Sequence, residues 1–263
     1  MSTARVDGVL FDVDDTLVDT RAAFGRALVG TTAAYLPDLP PERHVDVLAH
    51  WRADANGYYR RYTAGALEYR AQRMARANDL HEAFGGPVLD DAGFEEWDAV
   101  FESGFREAWV AHDDAAHVVR ELLAAGVAVG ALSNASVAYQ HLKLERVGLA
   151  DSVPMLVGVD TLGFGKPDPR VFLEACARLG TAPERTAYVG DELDFDAVAA
   201  HDAGLVGVWL DRPSARRQPS SAEQGPADSS AEQGPAEGDA ALVAAGVVVV
   251  RGLDELRAAL GLA

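Results

Sequence analysis

A repeated alternation between short apolar runs and helix-like segments is the feature that most constrains how this chain can fold. Most of the runs are followed within a few residues by a segment with helical spacing of apolar side chains. The runs lie at residues 6–13, 127–134, 154–159, 186–191, 205–210 and 247–250. Their apolar residues are mostly continuous rather than alternating, as expected for strands that are buried on both faces. The alternation therefore predicts an α/β fold, a doubly wound parallel sheet with helices on both sides.

Residues 19–112 interrupt this alternation. They contain several amphipathic segments rich in Ala, Arg and Tyr, with no clear strand pattern. We predict that residues 19–112 form a separate helical domain inserted after the first strand. Residues 1–18 and 113–263 would then form one discontinuous α/β core.

A low-complexity stretch lies near the end of the predicted core. It contains a tandem duplication, "SSAEQGPAD" at 220–228 and "SSAEQGPAE" at 229–237. Such a composition cannot bury enough apolar surface to fold, so we predict a disordered loop over residues 213–240. A neutral expansion is favoured over a partner-binding segment, and deletion of residues 219–239 is expected to leave the melting temperature and activity nearly unchanged.

Charge and composition argue against several classes of partner. The chain carries 41 acidic and 23 basic side chains, a net charge of −18, and such a surface repels the phosphate backbone of a nucleic-acid polymer. No run of 18 or more apolar residues is present, so no membrane span is expected. The single cysteine, Cys176, cannot build a disulfide framework, and the N-terminal apolar stretch is too short for a signal peptide. We therefore predict a cytoplasmic protein, and no pattern specifies an oligomeric state.

Polar side chains follow four of the predicted strands, at the points where ligands bind in open parallel sheets. The first run, in "VLFDVDDTLVDT", ends in a cluster of acids. After the first strand come Asp12, Asp14 and Thr16; after the second, Ser133 and Asn134; after the third, Lys166 in "GFGKPDP"; and after the fourth, Asp191 and Asp196. We expect these side chains to converge on one pocket.

The chemistry of these groups indicates phosphoryl transfer. Asp12 and Asp14 are two residues apart, so on an extended strand they project to the same side, where two carboxylates need a counter-charge. Asp12 and Asp191 offer the hard oxygen ligands that Mg²⁺ prefers. The Ser133 hydroxyl can donate a hydrogen bond to a tetrahedral anion, as can the backbone of the next residue, and Lys166 adds positive charge where negative charge grows.

The segments "FDVDDTLVDT", "LSN", "GKPDP" and "VGDELDFD", in this order, resemble the four motifs of the haloacid dehalogenase-like hydrolases. The helical insertion after the first motif resembles the cap of that family, so the resemblance implies a Rossmann-type core with a helical cap domain. It implies that Asp12 is a nucleophile that forms an aspartyl-phosphate, and that Asp14 protonates the leaving alcohol and then takes a proton from water. It also implies that Lys166 balances charge, and that Asp12, the Asp14 backbone carbonyl and Asp191 bind Mg²⁺.

The resemblance implies supporting roles for four further residues. Thr16 would fix the loop and the second acid, and Ser133 with Asn134 would hold the phosphate. Asp196 would orient the lysine ammonium or the water shell of the metal. Where relatives often carry Asn before this last acid, the chain has Phe195, which leaves the local hydrogen bonding open.

Asp14 discriminates between the functions that the family offers. A phosphate ester needs an acid for its alkoxide leaving group, whereas the dehalogenase branch expels halide and lacks the acid here. A phosphomutase would keep both acids but usually has Gly at the position of Asp15. A non-catalytic binding protein is the remaining alternative, and the intact set of acids argues against it. We expect a Mg²⁺-dependent phosphatase for a small phosphorylated metabolite, such as a sugar phosphate, a nucleoside monophosphate or phosphoglycolate, with the cap reading the leaving group.

Overall fold

The computed structural model describes residues 6–63, 66–212, 242 and 246–262. These residues divide into two compact units. The α/β unit contains the described residues up to Thr20 and from Trp109 onward, and the helical unit is Arg21–Ala108. The predicted loop at 213–240, with its duplication, lies outside the described residues.

A parallel sheet forms the centre of the α/β unit. Within the described residues it has six strands: β1 Gly8–Phe11, β2 Ala128–Leu132, β3 Met155–Val157, β4 Thr186–Gly190, β5 Val206–Leu210 and β6 Val248–Val250. Their order is β3-β2-β1-β4-β5-β6, and each pair is parallel. Val9 of β1 is in register with Val129 of β2 and Ala187 of β4. The predicted α/β sheet is confirmed, and β1 lies between β2 and β4, so the polar residues that follow these strands emerge at one edge.

The helical unit is built around aromatic side chains. Its helices are α1 Thr20–Tyr35 (whose first residue belongs to the α/β unit), α2 His44–Ala53, α3 Tyr58–Thr63, α4 Tyr69–Phe84 and α5 Asp91–Glu107. Phe94, Trp97 and Phe101 recur at helical spacing on α5, and all three are buried. The Trp97 ring stacks on Phe101 with ring centroids 5.8 Å apart, and Trp51 of α2 stacks on Trp97 at 6.0 Å. These stacked rings hold α2 and α5 together.

The described helices of the α/β unit have buried side chains, except for the helix at Val159–Leu162, which has none. They are α6 Ala115–Ala124, α7 Val137–Arg146, α8 Val159–Leu162, α9 Pro169–Leu179, a π-helix at Leu193–Val198, α10 Ala199–Asp202 and α11 Leu256–Ala259. On α9, Phe172 and Cys176 are buried in one cluster with Leu10 and Tyr188 of the sheet. Cys176 is therefore a residue of the hydrophobic core. Across the part of the chain that the structure describes, no helix combines the length and hydropathy needed to cross a membrane.

Candidate active site

Asp12 lies directly after β1 and is buried. Its backbone N–H donates to the carbonyl of Val189 at 2.8 Å, so Asp12 extends the hydrogen bonding between β1 and β4. The chain then turns: the N–H of Val18 donates to the carbonyl of Val13 at 2.9 Å, and Asp15 has a φ of 57°, in the left-handed region. The carboxylates that follow β1 thus stand on a tight turn at the edge of the sheet.

The ammonium of Lys166 is buried and bound on three sides. Its Nζ donates to Asp12 Oδ1 at 2.8 Å, to Asp196 Oδ1 at 2.7 Å and to the Tyr188 hydroxyl at 2.7 Å. Tyr188 in turn donates its hydroxyl hydrogen to the carbonyl of Leu132 at 2.9 Å. Burial opposes the charge, but Asp12, Tyr188 and Asp196 outweigh it and hold the pKa of the Lys166 ammonium well above its ordinary value. Lys166 is therefore a permanent cation between two carboxylates.

Asn134 fixes the backbone of the lysine loop. Its side-chain oxygen accepts from the Lys166 N–H at 2.6 Å, and its amide nitrogen donates to the Lys166 carbonyl at 3.0 Å. A Cβ atom at Gly165 would collide with the Asn134 side chain, so the close approach of loop and amide requires glycine there. The Lys166–Pro167 peptide bond is cis. The Asn134 side chain thus fixes the position of the lysine, and the Asn134 backbone N–H stays the group predicted to bind phosphate.

The π-helix after β4 brings Asp196 back to the lysine. Oδ1 of Asp196 binds the ammonium of Lys166, and Oδ2 accepts from the N–H of Glu192 at 2.9 Å. A Cβ atom at Gly190 would collide with the Asp196 carboxylate, so β4 has to end in glycine. Single π-helical turns of this kind are frequent at functional sites. Phe195, within the same turn, is exposed.

Three carboxylates form a group that can hold a metal ion. One oxygen each from Asp12, Asp191 and Asp196 lies within 4.8 Å of the others. Burial raises the pKa of Asp12 to about 7 against the opposing charge of Lys166, and burial with the charge of Asp12 raises the pKa of Asp191 to about 8. Acids that resist ionisation in this way suit a hard divalent cation, which supplies the missing positive charge. Both oxygens of Asp196 already have partners, Oδ1 in Lys166 and Oδ2 in the N–H of Glu192, so Asp12 and Asp191 are the carboxylates best placed to hold the ion.

Asp14 is held by two residues of α7 that the sequence motifs do not mark. Gln140 Nε2 donates to Asp14 Oδ2 at 2.6 Å, and the ammonium of Lys143 forms an ion pair with Asp14 Oδ1. The same Gln140 nitrogen donates to Ser133 Oγ at 2.7 Å, and the N–H of Ala135 donates to this oxygen at 3.2 Å. Ser133 Oγ therefore accepts two hydrogen bonds, and its own hydrogen is available to a ligand.

Thr16 is fully buried, and its hydroxyl oxygen has no hydrogen-bond partner among the described residues. The Thr16 carbonyl instead accepts from Arg212 Nη2 at 3.2 Å. Arg212 pairs with both carboxylate oxygens of Asp114, each at 2.8 Å. The loop after β1 is thus anchored through its backbone, and the predicted contact of the Thr16 side chain with Asp14 is not observed.

The structure brings most of the predicted residues into two linked groups. Asp12, Lys166, Asp191 and Asp196 form the first, and Asp14 and Ser133 are joined through Gln140 in the second. The side chain of Asp14 is not a member of the three-carboxylate group, which leaves its backbone carbonyl as the predicted ligand. Tyr188, Gln140 and Lys143 are contacts that the sequence reasoning missed. Gln140 and Lys143 carry no clear signal in the sequence, and their burial in the folded chain is what marks them.

Comparison with known proteins identifies relatives of this chain. The pattern of haloacid dehalogenase-like hydrolases matches residues 6–204. The chain is 31% identical over 178 residues to a phosphoserine phosphatase of Thermus thermophilus, covering 68% of this chain and 63% of that protein. It is 30% identical over 209 residues to an N-acetylmuramic acid 6-phosphate phosphatase of Pseudomonas aeruginosa, covering 78% and 81%. The chain therefore spans less than two thirds of the Thermus relative and about four fifths of the Pseudomonas one.

Solved structures share the fold. The hydrolase YfnB of Bacillus subtilis, bound to magnesium, superposes with a TM-score of 0.72 at 21% identity, over 98% of this chain and 99% of that one. A family hydrolase of Deinococcus radiodurans, with bound phosphate and sodium, has a TM-score of 0.62 at 25% identity, over 98% of both chains. The L-2-haloacid dehalogenase of Xanthobacter autotrophicus has a TM-score of 0.63 at 22% identity, over 98% and 100%. With the match over residues 6–204, these findings show that the chain belongs to the haloacid dehalogenase-like hydrolases.

Proposed function

We propose that this protein is a Mg²⁺-dependent phosphatase that hydrolyses a small phosphomonoester through an aspartyl-phosphate on Asp12. The observation that carries the proposal is the presence of a second, held carboxylate, Asp14, beside the buried pair of Asp12 and Lys166. A nucleophile alone would serve several reactions of the family, whereas the second acid serves a leaving group that has to be protonated.

Asp12 provides the nucleophile. Its Oδ1 is bound to Lys166, which leaves Oδ2 to attack phosphorus. The new bond joins Oδ2 to phosphorus as the bond from phosphorus to the ester oxygen breaks, and Lys166 balances the negative charge that gathers at the phosphoryl group. Tyr188 and Asp196 keep the ammonium in place for this role.

Asp14 provides the proton transfers. In the first step it gives a proton to the leaving alkoxide oxygen, and in the second it takes a proton from the water that attacks the aspartyl-phosphate. The water adds to phosphorus, the bond from phosphorus to Asp12 Oδ2 breaks, and inorganic phosphate leaves. The Ser133 hydroxyl hydrogen and the backbone N–H of Asn134 are proposed to bind phosphate oxygens during both steps.

The residues present fit a magnesium ion. Asp12, Asp191 and the backbone carbonyl of Asp14 would hold it, and a bound Mg²⁺ supplies positive charge next to the phosphate oxygens. The raised pKa values of Asp12 and Asp191 support this assignment, because burial and the neighbouring carboxylates disfavour the ionised forms and a divalent cation would offset both effects.

The relatives support phosphomonoester hydrolysis. Two relatives of which the chain covers 81% are named for N-acetylmuramic acid 6-phosphate and for phosphoglycolate, the latter from Salmonella typhimurium at 29% identity over 215 residues. Both names describe phosphate monoesters of small metabolites, and we propose the same class of substrate here. Dehalogenation and phosphomutase activity are the alternatives within the family, and Asp14 and Asp15 respectively argue against them.

The test is hydrolysis of p-nitrophenyl phosphate by the wild type and by matched variants. Asp12→Asn is expected to abolish turnover, and EDTA is expected to stop it until Mg²⁺ is added. Asp151→Asn removes an exposed carboxylate from the same unit and should leave turnover unchanged. Full activity of Asp12→Asn, or full activity without any divalent cation, would overturn the proposal. A panel of phosphorylated metabolites, scored by kcat/KM, then identifies the substrate.

A further inference from the structure

Two buried polar side chains of α7 have no place in the mechanism above. Gln140 and Lys143 are three residues apart, so they lie on one face of the helix. Gln140 is 0% exposed and Lys143 is 1% exposed, although glutamine and lysine are rarely buried so completely. Burial of an ammonium is costly unless a specific partner compensates it. Packing alone therefore does not explain why these two polar side chains are buried.

The two side chains bind Asp14 from one helical face, one to each oxygen. Gln140 Nε2 is 2.6 Å from Oδ2, and Lys143 forms its ion pair with Oδ1. Oε1 of Gln140 is buried without a hydrogen-bond partner in the described part of the chain. An unpaired buried amide oxygen lowers the stability of the fold. The Gln140 amide therefore keeps its two hydrogen bonds, to Asp14 and to Ser133, at the expense of some stability.

Aromatic rings complete the site of the Lys143 ammonium. Its nitrogen lies 5.3 Å from the centre of the Trp109 ring and 5.2 Å from that of Tyr139, and the two rings meet at 87°. Ring faces at these distances attract an ammonium and replace part of its lost hydration. Together with Asp14, the two rings hold the Lys143 ammonium in one position, although a lysine side chain is otherwise flexible.

We propose that Lys143 and Gln140 are positioning residues that hold the carboxylate of Asp14 where it can exchange protons with the leaving group and the attacking water. The inference rests on the proposed phosphatase function and adds two residues that position its proton-transfer group. Gln140 also binds Ser133, so a single amide sets the distance between the proton-transfer group and the proposed phosphate-binding hydroxyl. A displacement of about 1 Å in such a group can cost on the order of 100-fold in rate.

The test is a pre-steady-state measurement with p-nitrophenyl phosphate. Its leaving group needs no acid, so the first step survives when Asp14 is misplaced, whereas hydrolysis of the aspartyl-phosphate still needs the base. Lys143→Met should lower the steady-state kcat by about 100-fold and Gln140→Ala by about 10-fold, within the range that a proton-transfer group contributes. Both variants should release a first equivalent of p-nitrophenolate in a burst, as Asp14→Asn should, and KM should fall with kcat, because a slower second step leaves kcat/KM nearly unchanged.

Controls separate this role from a structural one. Arg146→Met removes an exposed cation from the same helix and should leave kcat unchanged. Lys143→Arg keeps the charge and should lose less activity than Lys143→Met. Melting temperatures identify any variant that fails to fold; if Lys143→Met is one, Gln140→Ala and Lys143→Arg carry the test.

The outcomes distinguish this inference from the proposed function. If the wild type does not hydrolyse the ester, or if Asp12→Asn does, the proposed function itself fails. If the wild type is active and the Lys143 and Gln140 variants match Arg146→Met, the positioning role alone is overturned. Equal losses in the first turnover and in the steady state, without a burst, would likewise overturn it, because they indicate a general structural defect.

Discussion

Replacement of Lys166 by methionine tests the charge balance at the centre of the site. In the folded protein the ammonium contacts Asp12 Oδ1 at 2.8 Å and Asp196 Oδ1 at 2.7 Å, and all three groups are buried. Lys166→Met keeps most of the side-chain volume but leaves two buried carboxylates without their cation. Breaking a buried ion pair in this way costs about 3–5 kcal/mol in the free energy of unfolding at neutral pH.

The cost should depend on pH in a defined direction. The pKa of Asp12 is about 7 in the folded wild type, against 3.8 for an ordinary aspartate, so folding favours the protonated acid. Loss of Lys166 removes a charge that lowers this pKa, so it moves higher still in the variant. Below pH 6 Asp12 is protonated in both folded proteins, so the loss of stability that comes from its uncompensated charge is absent. Above pH 7 the penalty grows by up to about 1.4 kcal/mol per pH unit until the new pKa is reached.

The assay is urea unfolding in EDTA at pH 6 and pH 8.5, followed by far-UV circular dichroism. Arg170→Met is the matched control, because Arg170 pairs with Asp168 at 2.6 Å at an exposed position on α9. Exposed ion pairs contribute little to stability because solvent screens them, so this variant should lose little stability at either pH. A loss in Lys166→Met no larger than that of Arg170→Met would refute the reasoning, and so would a penalty equal at the two pH values.

Two further predictions concern the metal ligands and the loop after β1. The pKa values of the two proposed ligands Asp12 and Asp191 are about 7 and about 8, so Mg²⁺ has to displace protons from both at pH 6. Its affinity should rise on average by more than about tenfold per pH unit between pH 6 and pH 8, with proton release measured by calorimetry in buffers of different ionisation enthalpy. A constant affinity over this range would contradict the assigned ligands. The buried hydroxyl of Thr16 lacks a partner among the described residues, so Thr16→Val should change the free energy of unfolding by less than about 1 kcal/mol. A loss of several kcal/mol in thermal or urea unfolding would show that the hydroxyl makes an essential contact.

The strand pattern and the residues at strand ends were readable from the sequence because both follow from local chemistry. Continuous apolar runs predict buried parallel strands, and carboxyl ends of such strands meet at one edge. This reasoning anticipated that Asp12, Lys166 and Asp191 would lie together, although 154 residues separate Asp12 from Lys166. It does not specify which carboxylates share the lysine, since that depends on the π-helical turn that returns Asp196 to the site.

The contacts that the sequence did not reveal come from side chains inside regular elements. Tyr188 reads as one more apolar residue of β4, and only the folded sheet shows its hydroxyl between Lys166 and Leu132. Gln140 and Lys143 read as ordinary polar residues of an amphipathic helix. Their burial depends on how α7 packs against the turn after β1, which periodicity alone does not determine. The role of residues 19–112 as a substrate-reading cap stays a prediction.

The most direct test of the account is a search for the covalent phosphate on Asp12. Asp14→Asn mixed with p-nitrophenyl phosphate and Mg²⁺ should accumulate the intermediate, because the first step needs no acid with this ester and the second step lacks its base. After rapid acid quenching, mass spectrometry of proteolytic peptides should find one phosphoryl group per chain, on Asp12, and hydroxylamine should remove it. Release of p-nitrophenolate without phosphate on Asp12, or with phosphate on a different residue, would contradict the proposed mechanism.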